Sequence, residues 1–108
     1  MNWTIDAIDV HIPGHPEMRF YPDDPRYEIM LSPYNGYDDG ELHEDRLEFV
    51  VQILEASFFD DDHNEYVDPE PIWSRRTPSP MKAQCFVLEA ATTLLEDIIP
   101  EAGAYRAA

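Results

Sequence analysis

The spacing of the apolar residues changes about a third of the way along the chain, and this change constrains the fold more than any other feature. Apolar and polar residues alternate in "WTIDAIDVHI" (3–12, with a one-residue slip near Ala7) and in "RYEIMLS" (26–32). A period of two is typical of strands with one buried face. Turn-forming stretches at 13–17 and 22–25 separate these runs. The sequence therefore predicts a small antiparallel sheet over residues 3–32.

Helical spacing follows the Asn-Gly turn signal at 35–36. Asp38 can cap a helix, and Glu41 stands three residues later, as in a capping box. Apolar residues then recur at intervals of three and four, which favours a helix with one buried stripe; they are Leu47, Val50, Val51, Leu54 and Phe58. We predict an acidic helix over residues 38–59.

The last third of the chain predicts a loop and a second helix. Residues 60–78 contain three prolines and are expected to form a long, acidic, irregular loop. Ser79 and Pro80 suit the N-cap and first position of a helix over 79–99, which Pro100 would end. This helix is apolar on most sides, so we expect it at the centre of the core.

Together these segments predict one α+β domain spanning residues 1–108. An N-terminal antiparallel sheet is followed by two main helices, at about 41–59 and 80–99, which the long acidic loop joins, and residues 100–108 form a tail. A chain of 108 residues suits one domain, and its 44 % of hydrophobic residues suffice for a folded core.

The net charge restricts the class of partner. The chain carries 23 acidic residues against 7 Lys and Arg, which gives a formal net charge of −16. DNA, RNA and anionic membranes are bound through cationic side chains, so we expect no direct binding to nucleic acid or membrane. The charge instead favours a strongly basic protein as the partner.

The N-terminus and the cysteine content bear on the compartment. Cys85 is the only cysteine and lies in an apolar helix pattern, where it is expected to be a small core residue. No apolar run reaches the length of about 18 residues that a membrane span needs. "MNWTIDAIDV" lacks the basic and apolar regions of a secretory signal. We therefore expect a cytoplasmic protein.

The acidic residues are the predicted partner-binding residues. On a helical wheel, those of the first predicted helix fall within an arc of about 100° that runs for about 21 Å; they are Glu41, Glu44, Asp45, Glu48 and Glu55. Their linear charge density is comparable to that of a DNA strand, with about 3.4 Å between phosphates. The predicted loop adds Asp60, Asp61, Asp62, Glu65, Asp68 and Glu70, with no Lys or Arg among them.

This acidity can also be explained without a partner. Acids in the first turn of a helix interact favourably with the helix dipole, which accounts for Glu41 but not for Glu48 or Glu55. The remaining acids could be a solubilising surface, or the adaptation of a protein to high salt. These explanations stay open at this point.

Metal binding and catalysis have weaker support. Asp60, Asp62, Asn64 and Asp68 have the spacing of calcium ligands in an EF-hand loop, but Glu65 and Pro71 replace its glycine and its bidentate glutamate. A weak cation site therefore stays open, as does a minor alternative at the two histidines of the 11–17 turn. The sequence contains no phosphate-binding loop, nucleophile elbow or H-E-x-x-H motif. We expect no cofactor, and an enzyme is the least favoured class.

Two acidic stretches, "DDGELHEDRLE" at 38–48 and "DDDHNEYVDPE" at 60–70, carry a resemblance. Together with the small size and the apolar core, they resemble the phage-encoded DNA-mimic inhibitors, which include anti-CRISPR and anti-restriction proteins. The resemblance is one of composition and rests on no shared motif.

The resemblance implies a non-enzymatic viral inhibitor in the cytoplasm of a bacterial host. Such a protein would imitate DNA phosphates and bind the basic nucleic-acid-binding surface of a CRISPR effector or another nuclease complex. A rival interpretation is an acidic subunit or chaperone-like interaction module of a basic protein, without mimicry of DNA.

Overall fold

Strands, rather than helices, form most of the structure. The computed structural model describes residues 2–34, 37–38, 40–56, 58–68 and 70–102. The strands are β1 (Thr4–Ile8), β2 (Glu17–Tyr21), β3 (Tyr27–Tyr34), β4 (Tyr37–Asp38), β5 (Glu41–Leu42), β6 (Glu48–Glu55), β7 (Phe58–Asp60), β8 (Glu65–Val67) and β9 (Trp73–Thr77). A 3₁₀ turn covers Glu44–Arg46, and the helical segment consists of α1 (Pro80–Thr93), a π-helical turn (Leu94–Ile98) and α2 (Ile99–Ala102).

Five of the strands form one antiparallel sheet in the order β1-β2-β3-β6-β9. β6 lies between β3 and β9, with Ile53 opposite Ile29 on one side and opposite Trp73 on the other. β4 pairs with β5 and β7 pairs with β8 in two separate hairpins. Helix α1 contacts β6, β9 and β3, so it covers one face of the sheet.

The predicted arrangement of an N-terminal sheet followed by two main helices is wrong. Residues 3–32 do supply three strands, but β6 and β9 extend the same sheet, and α1 is the only main helix within the described residues. The predicted loop at 60–78 contains β8 and β9, with Pro71 and Pro78 flanking β9 rather than interrupting it.

The predicted helix over 38–59 is replaced by a central strand for an identifiable physical reason. In β6, Phe49, Val51 and Ile53 are buried, whereas the alternate side chains, including Val50 and Leu54, are half-buried on the other face. A central strand with neighbours on both sides can carry apolar residues on both faces. Short apolar runs of this kind fit helical and strand spacing equally well. The β-branched residues of this run favour the strand.

The core lies between the sheet and one face of the helical segment. Its fully buried large side chains are Ile29, Val51, Ile53 and Leu94. Ala83 and Ala90 of α1 are also completely buried, and their small side chains allow the helix to approach the sheet closely. Cys85 is exposed, so the prediction that it is a core residue is wrong.

The predicted start of the helical segment is confirmed, whereas its predicted end is not. The predicted cap is confirmed, since the Lys82 backbone N–H donates to the Ser79 hydroxyl at 3.2 Å and Pro80 begins the helix. The predicted stop at Pro100 is wrong, because α2 continues to Ala102. The preceding π-helical turn is wider than an α-helical turn, which makes room for a proline that lacks an N–H and crowds the carbonyl four residues before it.

Some predicted features lie outside the described residues. They are the turn at 35–36, the side chains of Asp38 and Phe58, and residues 103–108 of the predicted tail.

Truncation of two adjacent residues distinguishes the strand from the predicted helix. We expect Ile53→Ala to lower the free energy of unfolding by about 2–5 kcal/mol, because it leaves a cavity in the centre of the core. Leu54→Ala should cost clearly less, because Leu54 is half-buried on the uncovered face. Chemical denaturation measures both values. A helix would bury Leu54 rather than Ile53, so a larger loss for Leu54→Ala would contradict the strand.

Candidate acidic interaction surface

The acidic residues predicted to form one helical stripe are separated in the structure. Glu41 lies in β5, Glu44 and Asp45 lie in the 3₁₀ turn, and Glu48 and Glu55 are the first and last residues of β6. Glu48 and Glu55 are seven positions apart, so they lie about 23 Å from each other at a strand rise of about 3.3 Å per residue. An odd separation also directs their side chains to opposite faces of the sheet. The predicted continuous stripe is therefore wrong.

Instead, the acids collect in the two connections that flank β6. The connection from β3 contains Glu41, Glu44 and Asp45, and the connection to β9 contains the acids of residues 60–70. β3 and β9 both run antiparallel to β6, so the two connections lie at opposite ends of the sheet. Glu55 lies at the same end as residues 60–70.

Residues 58–68, which span the end of the predicted helix and the first half of the predicted loop, form a β-hairpin, here called the acidic hairpin. Phe59 lies opposite Tyr66, and their rings meet edge to face with centroids 5.2 Å apart. Asp60 lies opposite Glu65 at the start of the turn. This turn brings five of the six predicted acids, all except Glu70, onto one small element.

Asp60 organises the turn of the acidic hairpin. One of its carboxylate oxygens accepts a hydrogen bond from the Asp62 backbone N–H at 3.0 Å, and the other lies 2.7 Å from Nδ1 of His63. Asn64 adopts a left-handed backbone conformation with φ of 53°, which asparagine tolerates better than most residues. Asp60 is therefore occupied within the hairpin, and its neighbours carry the outward charge.

The remaining acids of this region have no local compensation. Asp61, Asp62, Glu65, Asp68 and Glu70 are all exposed. Within the described part of the chain, none of these five carboxylates forms an ion pair with a Lys, Arg or His. Like charges held on one hairpin repel each other, so a cationic partner would gain favourable interactions here without displacing existing ones.

Arg19 of β2 forms ion pairs with acids of the sheet rather than with the acidic hairpin. Arg19 lies 3.0 Å from Glu17 and 2.8 Å from Glu28. Burial lowers the pKa of the Arg19 guanidinium, but the hydrogen bond to Glu17 and the charge of Glu28 outweigh this effect and raise it above its ordinary value. The sheet is therefore closer to local charge balance than the acidic hairpin.

The two arginines of β9 lie over aromatic rings. Arg76 is 4.3 Å from the Tyr34 ring centroid and 3.9 Å from the Glu48 carboxylate, so Glu48 is partly compensated. Arg75 is 4.5 Å from the Trp73 ring centroid and 3.7 Å from Glu89. These contacts hold both guanidinium groups against the sheet and helix surface rather than against the hairpin.

Asp24 is a buried acid that sequence reasoning missed. It is 4 % exposed, and its carboxylate accepts hydrogen bonds from the backbone and side chain of Arg26, the shortest being 2.8 Å. The hydrogen bond from the Arg26 guanidinium holds the pKa of Asp24 below its ordinary value, although burial acts in the opposite direction. This residue stabilises the turn between β2 and β3 and does not face a partner. The "PDDP" sequence indicated the turn, but not the ion pair.

The candidate metal sites gain no support from the geometry. No three His, Cys, Asp or Glu side chains within the described ranges are grouped so that they could hold a metal ion. Asp60 is directed toward His63 rather than toward a shared centre with Asp62. His15 packs edge to face against Phe49, with ring centroids 5.1 Å apart, beside an open cleft of about 540 Å³ lined by residues 7–16 except Ile8 and Val10.

Comparisons with known proteins assign no family. No family model matches the chain, and no curated protein or solved structure shows significant similarity to it. Among the described residues, no helix combines the length and the apolar character needed to cross a membrane.

Among the described residues, Asp24 is the one acid whose pKa is lowered, and its replacement tests this contact. We expect Asp24→Asn to reduce the free energy of unfolding by about 1–3 kcal/mol at neutral pH, because it weakens a buried, charge-assisted contact. A lowered folded-state pKa contributes stability above the ordinary Asp pKa and loses it as the pH falls through the folded value. The difference between wild type and variant should therefore shrink in acid. Denaturation curves at a series of pH values measure it, and a constant difference would contradict this role.

Proposed function

We propose that this protein is a non-enzymatic acidic inhibitor that binds the basic nucleic-acid-binding surface of a CRISPR effector or another nuclease complex. The observation that supports the proposal most is the acidic hairpin, with its exposed and uncompensated carboxylates on an ordered turn. In this proposal the hairpin imitates DNA phosphates, and the protein acts in the cytoplasm of a bacterial host as a phage product.

The order of the acidic hairpin favours tight binding. A backbone that is already folded loses less conformational entropy on association than a disordered tail. The Asp60 contacts with Asp62 and His63, together with the pair of Phe59 and Tyr66, fix the turn and its two strands. Arginines in a nucleic-acid channel can bind carboxylates in a bidentate manner, as they bind phosphates. Complementary potentials would also accelerate association.

The separation of the acids changes which residues carry the proposal. Asp61, Asp62, Glu65, Asp68 and Glu70 are the central contacts. Glu41, Glu44 and Asp45 lie in the other connection, beyond the opposite end of β6. One DNA strand covers the length of β6, about 23 Å, in about seven phosphate spacings. A long basic channel could therefore contact both groups, whereas a short basic patch would contact the hairpin alone.

A second candidate function is favoured by the aromatic residues of the hairpin. Phe59 and Tyr66 are 45 % and 76 % exposed, and nearby Ile72 is 42 % exposed. Exposed aromatic residues are common in the centres of protein interfaces. They fit an acidic subunit or chaperone-like module that docks on a basic protein through charge and an apolar pocket, without imitating DNA.

Competition with DNA distinguishes the two functions. Basic proteins captured from bacterial lysate on the immobilised chain would be identified by mass spectrometry and purified. We expect the chain and duplex DNA to exclude each other from the captured nuclease, and we expect the chain alone to produce no mobility shift of DNA, since its charge of −16 opposes contact with phosphates. Simultaneous binding of chain and DNA would refute mimicry and favour the acidic module.

Charge reversal tests whether the acidic hairpin is the binding site. Asp61→Lys with Asp62→Lys should weaken binding by about 1–3 kcal/mol for each charge-assisted contact that is lost. Glu96→Lys with Asp97→Lys is the matched control, because it changes the net charge equally with two adjacent exposed acids that lie outside both acidic connections. Isothermal titration calorimetry at two salt concentrations would measure the affinities, with thermal melts to verify folding.

The hairpin variant should lose more affinity than the control, and wild-type binding should weaken as salt rises because exposed charge pairs are screened. Equal losses in both variants would attribute the effect to net charge. Unchanged affinity in both folded variants would make the acids a solubilising coat.

A further inference from the structure

Helix α1 has a second apolar surface that no described residue covers. Met81 and Leu88 are 77 % and 70 % exposed, and Cys85 and Thr92 are also exposed. We call these four residues the outward stripe. The opposite side of the helix packs on the sheet through Ala83 and other buried residues. The outward stripe therefore adds nothing to the core of this chain.

The spacing of the outward stripe is that of a helix-packing seam. Its residues follow at intervals of four, three and four, which is the alternation of the two core positions of a coiled coil. Large apolar side chains grouped on one exposed helix face indicate a contact surface more strongly than isolated ones do. A partner helix with the same spacing would fit this seam.

The charges beside the outward stripe complement those of a second copy of the chain in an antiparallel orientation. Lys82 and Glu89 are seven residues apart, so they lie on the same flank of the stripe. In an antiparallel helix pair, equal flanks face each other, and each Lys82 then meets Glu89 of the second copy, whose exposed carboxylate also lies 3.7 Å from Arg75 of its own chain. In a parallel pair, opposite flanks face each other and this match is lost.

The apolar register agrees with the same arrangement. When Cys85 lies against Leu88 of the second copy, Met81 lies against Thr92 of the second copy, and the twofold axis repeats both contacts. In this register Lys82 lies two residues away from the position directly opposite Glu89 of the second copy. The two long side chains can span this offset. One register therefore satisfies the four apolar layers and both charge pairs.

We propose that the outward stripe is the contact surface of an antiparallel homodimer of this chain. The proposal does not depend on the inhibitor function. A single helix pair buries less than the roughly 800 Å² per partner of a standard interface, and each copy carries a charge of −16, so the dimer should be weak. Moderate salt, with a Debye length of about 8–10 Å, screens the long-range repulsion and favours it.

Sedimentation velocity over a range from micromolar to near-millimolar chain at moderate salt tests the proposal. We expect a reversible monomer–dimer equilibrium. Met81→Gln with Leu88→Gln should weaken it by about tenfold or more. Ile5→Gln with Ile8→Gln is the matched control, because it replaces two exposed apolar residues of β1 without changing charge and should leave the equilibrium unchanged. A monomer at every concentration, or a dimer insensitive to the stripe variant, would overturn the proposal.

A charge swap tests the orientation separately. Lys82→Glu alone and Glu89→Lys alone should each weaken the dimer, and the double variant should restore it. Both residues are exposed, and Glu89→Lys also removes the contact with Arg75 of the same chain, so thermal melts verify that each variant folds. Glu89→Lys lowers the net negative charge, so general repulsion would predict a stronger dimer for that variant. A stronger dimer in Glu89→Lys, or no recovery in the double variant, would overturn the antiparallel arrangement.

Discussion

The pairing of β3 with β6 is the interaction on which the rest of the structure depends. These strands are paired along their full length, and their central residues Ile29 and Ile53 are completely buried under the helical segment. β2 joins one side of this pair and β9 joins the other. The two connections that carry half of the exposed acids among the described residues leave β6 at its two ends. The length of one strand therefore sets the distance between the two acidic regions.

Local signals in the sequence predicted structure better than patterns that depend on distant neighbours. The Ser79 cap is fixed within four residues, by its contact with the Lys82 N–H, and was predicted correctly. β6 was predicted to be a helix, since Val50 and Leu54 are apolar on the face opposite α1 and thereby extend the pattern to both sides. The β-branched residues of this segment favour a strand locally, and pairing with β3 and β9 on either side decides the outcome. The acidic hairpin had a signal of its own, with strand-favouring Phe59 and Tyr66 around a polar turn, but the neighbouring prolines directed the prediction to a loop.

The number of acids could be read from the sequence, but the sequence did not show which carboxylates have a cationic or hydrogen-bonding neighbour in the fold. Glu48 and Arg76 are far apart in sequence and approach to 3.9 Å because β6 and β9 are paired. Asp60 is drawn inward by His63, a contact that requires the turn between β7 and β8. Residues predicted to be equivalent thus differ, since the carboxylates of Glu48 and Asp60 have partners within the fold and those of Asp61 and Asp62 do not. The candidate site therefore consists chiefly of exposed carboxylates that have no cationic neighbour in the described part of the chain; they are Asp61, Asp62, Glu65, Asp68 and Glu70.

The two proposed surfaces are linked through the net charge of the chain. Two copies that meet at the outward stripe bring together two charges of −16, so long-range repulsion opposes the dimer although the stripe itself is nearly neutral. A basic protein bound at the acidic hairpin would reduce this repulsion and thereby favour dimerisation. Because linkage is reciprocal, dimerisation would strengthen binding of the basic protein by the same factor. Salt separates the two effects, because it screens the repulsion between copies and also screens the attraction between the hairpin and its partner. A rise in salt should therefore move the two equilibria in opposite directions, which a single contact surface serving both purposes would not do.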